Sequence, residues 1–577
     1  MNILPSGKSG FRHIARVHCV GIGGIGLSAL AQYFLATGKT VSGTDGVATD
    51  LTRYLERCGV VFSTIQDGEL ISPQVIESSG HRVGNKKSKI PKSQNPKIPT
   101  PDSRLQTPDL VVYSPAIPMS NGDLKKAKEL GIPMMTYPEA LGKLTSEKVT
   151  IAVCGTHGKS TTTAMISLMM VEALMDPTVI IGTKVRWGQV NSKQYPVGST
   201  MPIQNHFIDF SLSQEAEIAA PCPEARLTMT KDVGTNFRYG KSEFLVIEAC
   251  EYKDSFLQYF PHIIVCPNVD VDHLDYFKTE ENYRESFRRF FKSLPHGGYL
   301  VGEQGAEFRG QNSGDGEEVT GKQKGIEDLT KKIKGTFAGV VFGEEHFIWN
   351  EKEYPYPKVG IPGKHNRTNA ALAFVTGKIL NIPEEVILRS LAKFTGTWRR
   401  FEHRGMLNGA TVIDDYGHHP TEIAATLAAA REIAVSDKRL AISGAKKQLT
   451  SFRNIPNRQL PIANRLIIVY QPHQYSRTKI FLEDFGRAFA QADLVIVPNI
   501  YQARNDDPII SVQELVDVIA KNGTQAMDGG GLQETAKWLN ENAKKGDTVI
   551  TMGAGNIDGI YEWLNIDEII NSALLLQ

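Results

Sequence analysis

A chain of 577 residues is long enough for three or four domains, and its 41% hydrophobic and 22% charged residues are typical of a globular protein. The formal net charge of +1 gives no global electrostatic basis for binding nucleic acid or a membrane surface. The six cysteines form no CxxC pair, no apolar run approaches the length of a membrane span, and the N-terminus lacks an apolar signal core. We therefore expect a cytoplasmic protein with reduced thiols, no nucleic-acid partner and no membrane insertion.

The first predicted domain, residues 1–145, begins with a strand, a glycine turn, a helix and a second strand that ends at Asp45. The turn is Gly21-Ile22-Gly23-Gly24-Ile25-Gly26, the placement that a Rossmann-like domain uses to hold a nucleotide diphosphate at a helix N-terminus. The residues alone leave open an NAD cofactor, a nucleotide-linked substrate, or a turn used only for helix packing. Ser42 and Asp45 would lie near the sugar or base of the ligand. Residues 80–108 are rich in Lys, Pro, Ser and Asn and predict a flexible insertion.

The second predicted domain, residues 146–393, carries the strongest motif of the chain. An apolar strand leads into Gly155-Thr156-His157-Gly158-Lys159-Ser160, and a Ser/Thr-rich helix start follows. In such a loop the glycines turn backbone N–H groups toward an anion, the lysine adds positive charge, and the serine hydroxyl can bind Mg²⁺. Val153 stands where a Walker A motif has its first glycine. We expect ATP to bind here, and a glycine turn that binds nothing is the alternative.

Two acidic positions follow apolar strands of this second domain. Glu248 ends the strand at 244–247, and Asp272-His273 come after the next strand. Ligands collect at the carboxyl ends of parallel strands, so Glu248 could complete a Mg²⁺ site begun by Ser160, and His273 could reach the same cleft. The alternatives are a helix cap for Glu248 and an ordinary packed or surface residue for His273. Loop-rich insertions are predicted at 188–240 and 303–335.

The third predicted domain, residues 394–577, has three polar clusters. Arg399-Arg400 lies at the domain junction and predicts either a solvated face or an arginine that holds a transferred phosphate. The stretches 414–420 and 471–478 follow apolar strands and cluster His, Tyr and Arg, which suits a small zwitterion. Residues 444–463 form a polar insertion. The predicted fold class is α/β in three domains, Rossmann-like, then P-loop ATPase-like, then Rossmann-like, with largely parallel sheets.

Taken together and in this order, the motifs resemble those of the Mur ligases of peptidoglycan synthesis. Two stretches of the third domain resemble the alanine-adding member of that family more than the member that recycles intact tripeptide. The motifs that carry the resemblance are Val20–Gly26, Gly155–Ser160, Glu248–Glu251, Asn268–His273, His365–Asn369, Arg399–Glu402, Asp414–Glu422 and Gln471–Thr478.

The resemblance implies a reaction and its ligands. The first domain would hold UDP-N-acetylmuramate rather than NAD, the second would bind ATP with Mg²⁺, and the third would bind L-alanine. The muramyl carboxylate would attack the γ-phosphate to give an acyl phosphate, and the amine of alanine would then displace phosphate. A monomer or homodimer is expected.

The resemblance also implies a role for individual residues. The catalytic residues would be Lys159, His273 and Arg400. The ATP site would comprise Gly155, Thr156, His157, Gly158, Lys159, Ser160, Thr161, Asn369, Arg400 and Asp415. The nucleotide-linked substrate would contact Gly23, Gly24, Ile25, Gly26, Ser42, Asp45 and Ser114. The candidates for alanine binding are Tyr416, His418, His473 and Arg477. The metal ligands would be Ser160, Glu248 and His273.

Three positions depart from the family pattern. Ser160 stands where threonine is usual and keeps the hydroxyl, Cys250 stands where an acid is usual, and Gln474 stands where arginine is usual. Gln474 removes a positive charge from the expected amino-acid site. The alternatives to an alanine ligase are a related Mur-type ligase that adds another amino acid or a recycled peptide, an NAD-linked oxidoreductase with an ATP-regulated domain, and a nucleotide-sensing protein that recruits partners.

Overall fold

The computed structural model describes residues 10–71, 107–187, 234–305, 326–443, 465–502 and 507–567. These residues form three sheets, each flanked by helices, which we call the first, central and third units. The α/β class with largely parallel sheets is therefore confirmed. Within the described residues, no helix combines the length and the hydropathy needed to cross a bilayer.

The first unit contains a five-stranded, all-parallel sheet. Its strands are β1 (Arg16–Val20), β2 (Thr40–Thr44), β3 (Val61–Ser63), β4 (Leu110–Tyr113) and β5 (Met134–Thr136), and its helices are α1 (Ile25–Ala36), α2 (Asp50–Arg57), α3 (Gly122–Glu129) and α4 (Tyr137–Thr145). The strand order is β3-β2-β1-β4-β5. The chain leaves β1 for β2 on one side and returns to β4 on the other, so the crevice at the carboxyl end of β1 is the topological switch point where ligands bind.

The central unit contains a nine-stranded mixed sheet. Its strands are β6 (Val149–Val153), β7 (Thr178–Val185), β8 (Thr235–Arg238), β9 (Phe244–Glu248), β10 (Ile263–Cys266), β11 (Tyr299–Glu303), β12 (Thr336–Phe342), β13 (His346–Trp349) and β14 (Lys352–Pro355). Its α-helices are α5 (Lys159–Glu172), α6 (Leu274–Phe277), α7 (Glu280–Phe291), α8 (Lys364–Ile379) and α9 (Glu384–Lys393), and short 3₁₀ helices cover Tyr252–Gln258 and Glu327–Leu329. The order is β14-β13-β12-β11-β10-β6-β9-β7-β8, with antiparallel pairs only at the two edges.

The third unit contains a six-stranded sheet. Its strands are β15 (Glu402–Leu407), β16 (Ala410–Asp415), β17 (Leu466–Tyr470), β18 (Leu494–Val497), β19 (Gln525–Asp528) and β20 (Thr548–Met552). Its helices are α10 (Pro420–Ser443), α11 (Tyr475–Ile480), α12 (Leu482–Ala488), α13 (Val512–Lys521) and α14 (Leu532–Asn542), with a 3₁₀ helix at Ile557–Glu562. The order is β15-β16-β20-β17-β18-β19, and β15 alone pairs antiparallel.

The strands that carry the candidate site are buried on both faces. Every residue of β6, β10, β16 and β17 is buried, which explains why these strands appear in the sequence as continuous apolar runs rather than as alternating patterns. Because these strands are parallel to their neighbours in the sheet core, the loops that follow them gather at one edge of each sheet.

The first unit is joined to the central unit by packing and by buried hydrogen bonds. Apolar side chains of both units form one continuous buried cluster, and the rings of Tyr33 and Tyr239 lie 6.4 Å apart across the junction. Asn236 of β8 donates to the carbonyl of Ile25 and to the hydroxyl of Ser28 (2.9 Å), and accepts a hydrogen bond from Gln32 (3.0 Å). The edge strand β8 therefore fixes helix α1, which begins at the glycine turn.

The predicted insertions are described only in part. The range 188–240 contains the short strand β8 at 235–238, and 303–335 contains buried Ile326 and Leu329 of the 3₁₀ segment. Residues 80–106, 188–233, 306–325 and 444–463 lie outside the described residues. The domain boundaries at 145 and 393 stay predictions.

We expect Asn236→Ala to lower the free energy of unfolding by about 1–3 kcal/mol, because it leaves buried polar groups of α1 without partners. Urea-induced unfolding followed by far-UV circular dichroism measures this change. Gln533→Ala, at an exposed position of α14, is the control and should change stability by less than about 0.5 kcal/mol. Equal midpoints for the two variants would contradict the proposed role of Asn236.

Candidate active site

The loop between β6 and α5 has the conformation of a phosphate-binding loop. Gly155 and Gly158 adopt φ values of +118° and +81°, in the region that favours glycine. A Cβ at Gly155 would lie 2.8 Å from the carbonyl oxygen of Asn268, and one at Gly158 would lie 2.6 Å from Oδ1 of Asn369. Both glycines are therefore required by close approach as well as by φ. The same contact places Asn369, one of the predicted ATP residues, directly beside the loop.

The segment after β10 holds the phosphate loop in place. Oδ1 of Asn268 accepts the backbone N–H of His157 at 2.9 Å, and Nδ2 of Asn268 donates to the carbonyl of His157 at 3.2 Å. The hydroxyl of Thr156 donates to the carbonyl of Asp270 at 2.6 Å and lies 2.8 Å from the hydroxyl of Tyr283. Thr156 and His157 therefore serve first to shape the loop. Asn268 belongs to one of the motifs that carry the family resemblance, but no individual role was predicted for it.

Lys159 folds back over the loop that it follows. Its Nζ donates to the carbonyls of Gly155 (2.5 Å) and Thr156 (2.9 Å) and pairs with the carboxylate of Glu251 at 3.1 Å. Burial would lower the pKa of Lys159, but the neighbouring Glu251 carboxylate raises it above its ordinary value, so the side chain is charged. Glu251 was missed as a site residue by the sequence reasoning, although its position three residues after Glu248 was a usable signal.

Ser160 and Glu248, two of the predicted metal ligands, lie in direct contact. The hydroxyl of Ser160 donates to Oε2 of Glu248 at 2.9 Å, and the same oxygen accepts the backbone N–H of Gly182 at 2.9 Å. Hydroxyl and carboxylate oxygens are the donors that Mg²⁺ prefers, and Mg²⁺ typically takes only one or two ligands from the protein. The pair therefore fits this ion. Thr161 is buried in the first turn of α5 beside this pair.

His273 lies with Lys159 and Glu251. Its Nε2 is 3.7 Å from Oε1 of Glu251, and its ring lies 4.8 Å from that of Tyr252. Burial lowers the pKa of His273 against the opposing effect of Asp272 and Glu251, which favours a neutral ring with a nitrogen lone pair. Among the residues that the structure describes, no three or more His, Cys, Asp or Glu side chains form a metal-binding group. The assignment of His273 as a metal ligand stays a prediction.

The two adjacent arginines of the junction have different environments. Arg399 is buried, pairs with Asp414 at 3.0 Å and donates to the carbonyls of Gly553 and Gly555, so it holds the third unit together. Arg400 instead lies 3.4 Å from Glu422. Both guanidinium groups lie near the Tyr416 ring, at 5.5 Å for Arg399 and 5.2 Å for Arg400. Arg399 has a φ of +55°, which turns the chain between the two side chains. Arg400 is thus the arginine of the two that contacts Glu422, and its role at an ATP site stays a prediction.

Asp415 organises the backbone around it. Its carboxylate accepts the N–H groups of Phe401 (2.9 Å) and Gly417 (2.8 Å). Burial raises the pKa of Asp415, and the nearby Arg400 opposes that rise. The predicted contact of Asp415 with ATP would therefore be made from a carboxylate that already binds two backbone groups.

The predicted alanine residues lie together at the junction with the central unit. The ring of His418 is 5.6 Å from that of Tyr416 and 6.3 Å from that of His473. Nη2 of Arg477 donates to both carboxylate oxygens of Asp272, at 2.8 and 3.1 Å. Burial would raise the pKa of Asp272, but the Arg477 guanidinium holds it well below its usual range. Arg477 therefore bridges the third unit to the segment that contains His273.

A second bridge joins the phosphate loop to the third unit. Nδ1 of His157 lies 3.2 Å from Oε1 of Glu422, and the His157 ring lies 4.9 Å from that of His419. Glu422 was quoted within a motif of the sequence but received no role there. In the sequence it resembles an ordinary acid in the first turn of a helix.

In the first unit the glycine turn has the expected surroundings. Oδ2 of Asp45 accepts the N–H of Gly23 at 2.9 Å, and a Cβ at Gly21 would lie 3.2 Å from Cβ of Ser114. Gly24 is the N-cap of α1, which begins at Ile25. A Cβ at Gly26 would lie 2.8 Å from the ring of Tyr137, and burial raises the pKa of that tyrosine, with Glu248 adding to the rise. Tyr137 thus connects the glycine turn with the central site.

Ser42 has a different position from the one expected. It lies within β2, and its hydroxyl is 2.9 Å from Nδ1 of the fully buried His18. Its hydroxyl therefore pairs with a side chain inside the unit, before the carboxyl end of the strand. This position does not support the predicted contact between Ser42 and the substrate.

We expect the free energy of unfolding to decrease as the pH is lowered, because of the proton that His418 can bind. Burial lowers the pKa of His418 from 6.5 to about 3. Because the unfolded chain binds this proton more readily, the stability is fully present above pH 6.5 and is lost toward about pH 3, at up to about 1.4 kcal/mol per pH unit.

Urea unfolding between pH 5 and 8 tests this expectation. His418→Asn should flatten the slope of unfolding free energy against pH below 6.5, while His296→Asn, at an exposed position, should leave it unchanged. Identical slopes for wild type and His418→Asn would contradict the assignment.

Comparison with known proteins places the chain in one family. Residues 16–149 match the family model described as Mur ligase family, catalytic domain, residues 153–377 match the Mur ligase middle domain, and residues 399–555 match the Mur ligase glutamate ligase domain. The three matches follow one another along the first, central and third units.

Similar proteins extend over nearly the whole chain. The UDP-N-acetylmuramate–L-alanine ligase of Caldanaerobacter subterraneus is 33% identical over 566 residues, covering 95% of this chain and 96% of that protein. That of Acetivibrio thermocellus is 32% identical and covers 97% of each chain. The solved structure of the Thermotoga maritima UDP-N-acetylmuramate-alanine ligase has the same fold, with a TM-score of 0.62 at 21% identity and coverage of 95% and 98%. The chain therefore belongs to the Mur ligase family.

Proposed function

We propose that this protein is an ATP-dependent ligase that joins L-alanine to the carboxylate of UDP-N-acetylmuramate in peptidoglycan synthesis. One observation carries the proposal: a phosphate loop and a His/Tyr/Arg cluster, each at a strand end, are brought face to face by two bridges between units. These bridges are Asp272–Arg477 and His157–Glu422. The names of relatives that are about a third identical over the full chain support the same reaction.

The phosphate loop would bind and activate ATP. The N–H groups of Thr156 and His157 are bonded to Asn268, so the end of the loop at Gly158 and the N-terminus of α5 would provide the favourable field for the β- and γ-phosphates. Lys159 is charged and only partly exposed beside this field, so it would neutralise the negative charge that develops as the γ-phosphoryl group moves to the muramyl carboxylate. Arg400, which reaches the same region from the third unit, would bind a phosphate oxygen.

Ser160 and Glu248 would hold Mg²⁺ through oxygen atoms. When bound there, the ion would screen the charge of the phosphates and keep them in place. His273 would approach the reacting groups from the side of Glu251, with a neutral ring that can accept a hydrogen bond or bind a second ion.

The third unit would present L-alanine to the acyl phosphate. The guanidinium of Arg477 has donors beyond the Nη2 atom that binds Asp272, and these suit the carboxylate of an amino acid. A pKa of about 3 keeps His418 neutral at pH 7, so it does not repel the alanine ammonium group. The same low pKa makes His418 a weak base, so we assign it to binding the amine rather than to removing its proton.

The glycine turn of the first unit would bind the UDP diphosphate of the substrate. Gly23 and Gly24 shape the turn, because the N–H of Gly23 donates to Asp45 and that of Gly24 donates to the carbonyl of Gly21. The N-terminus of α1, which begins at Ile25 and Gly26, would then provide the field that binds the diphosphate. We further propose a cytoplasmic location, where ATP and nucleotide sugars are present, and a monomer or homodimer.

Phosphate release from ATP in the presence of UDP-N-acetylmuramate tests the function. We expect release with L-alanine to exceed release with glycine, L-serine or an intact muropeptide tripeptide. Lys159→Ala should lower the rate by about 10²–10³-fold, because it removes charge stabilisation in the transition state. Preferred use of the tripeptide would favour the recycling member of the family, and no release with any acceptor would contradict a ligase.

Substitution of Glu248 tests the metal assignment. We expect Glu248→Gln to raise the Mg²⁺ concentration for half-maximal phosphate release by about 10–100-fold, because the amide carries no charge to offset that of the ion. Glu243→Gln, at an exposed position before the same strand, is the matched control. A Mg²⁺ requirement equal to that of wild type in Glu248→Gln would overturn this ligand.

A further inference from the structure

The carboxylate of Glu422 lies where the phosphate loop meets the third unit, and the reaction described above assigns it no role. Glu422 is in the first turn of α10, and its side chain is only 10% exposed. A buried carboxylate requires compensating donors. The groups that surround the Glu422 carboxylate therefore indicate its role.

Each oxygen of Glu422 contacts a different part of the chain. Oε1 lies 3.2 Å from Nδ1 of His157, in the phosphate loop, and 3.4 Å from Nη1 of Arg400, at the junction of the units. Oε2 accepts the backbone N–H of His418 at 3.1 Å and lies 3.3 Å from Nδ1 of the same residue. One carboxylate thus connects two residues of the expected ATP site with one of the expected alanine site.

A helix cap accounts for only part of this arrangement. An acid in the first turn commonly binds a preceding backbone N–H group and interacts favourably with the helix dipole, which explains the bond to His418. It does not explain the contacts with His157 and Arg400, which come from other segments. Burial would raise the pKa of Glu422, but the hydrogen bond from His157 and the Arg400 guanidinium hold it well below its usual range, so the carboxylate is charged in this position.

We propose that Glu422 is a positioning residue that couples nucleotide binding to amino-acid binding, an inference that rests on the proposed ligase function. A nucleotide that fixes His157 and Arg400 also fixes Glu422, because both side chains contact the same oxygen atom. Glu422 in turn fixes the backbone and the ring of His418. Nucleotide binding at the phosphate site therefore completes the alanine site. By thermodynamic linkage, L-alanine binding strengthens nucleotide binding by the same factor.

Binding of a non-hydrolysable ATP analogue, measured by calorimetry with and without saturating L-alanine, tests the coupling. In wild type we expect L-alanine to tighten the nucleotide by roughly 5–150-fold. In Glu422→Gln this ratio should fall close to one, and in Glu541→Gln, an exposed position of the same unit, it should keep the wild-type value. A ratio of one in wild type, or an unchanged ratio in Glu422→Gln, would overturn the inference.

Two further measurements separate coupling from general loss of structure. Hydrogen exchange of the amides at 416–424 should slow on adding the nucleotide analogue in wild type and should not respond in Glu422→Gln. His157→Asn removes one end of the bridge and leaves the bonds of Glu422 within the third unit intact. It should also lower the coupling ratio, and an unchanged ratio would contradict the bridge even if Glu422→Gln does not fold.

The same protein preparation distinguishes this inference from the function on which it rests. A wild type that releases no phosphate with any acceptor would contradict the ligase. A wild type that releases phosphate with L-alanine, together with full coupling in Glu422→Gln, would overturn only the role of Glu422.

Discussion

The ion pair between Asp272 and Arg477 is the interaction on which the assembled site depends. The two side chains are 6% and 9% exposed and belong to different units. A charge that is buried without its partner costs several kcal/mol, so this pair is satisfied only when the third unit lies against the central unit as observed. The approach of Glu422, which also contacts Arg400, to His157 of the phosphate loop depends on the same arrangement. The residues of the site are thus brought together by the packing of the central and third units, and buried ion pairs hold these two units together.

The shape of the phosphate loop is held by contacts within the protein. Gly155 and Gly158 have positive φ values, and Asn268 holds the loop through both sides of the His157 peptide. The ammonium group of Lys159 is likewise engaged by Glu251 and by two carbonyls of the loop itself. A phosphate group and Glu251 would therefore compete for the same positive charge, for which Glu251 is the partner within the protein.

The sequence could predict the strands and the loops that follow them, because continuous apolar runs such as β6 and β10 mark strands buried on both faces. Parallel pairing of these strands is then enough to predict that Ser160 and Glu248 lie at the same edge of the sheet. The two residue types alone could not distinguish Arg399 from Arg400, and only the family resemblance assigned the role to Arg400, since their environments differ through a left-handed residue and tertiary contacts. Glu422 was missed because its partner His157 is distant along the chain. The strand β8 was included in a predicted insertion because Thr235 and Asn236 give it little apolar character.

The central unit has two interfaces of different composition. Toward the first unit, apolar side chains form one continuous cluster, so separating the two would expose core to water. Toward the third unit the contacts are charged and polar, and among the described residues the buried apolar clusters of the third unit include no side chain of the central unit. Water can solvate such an interface when it opens. Separating the third unit from the central unit would therefore expose polar and charged groups, and it would leave the apolar clusters of the third unit intact.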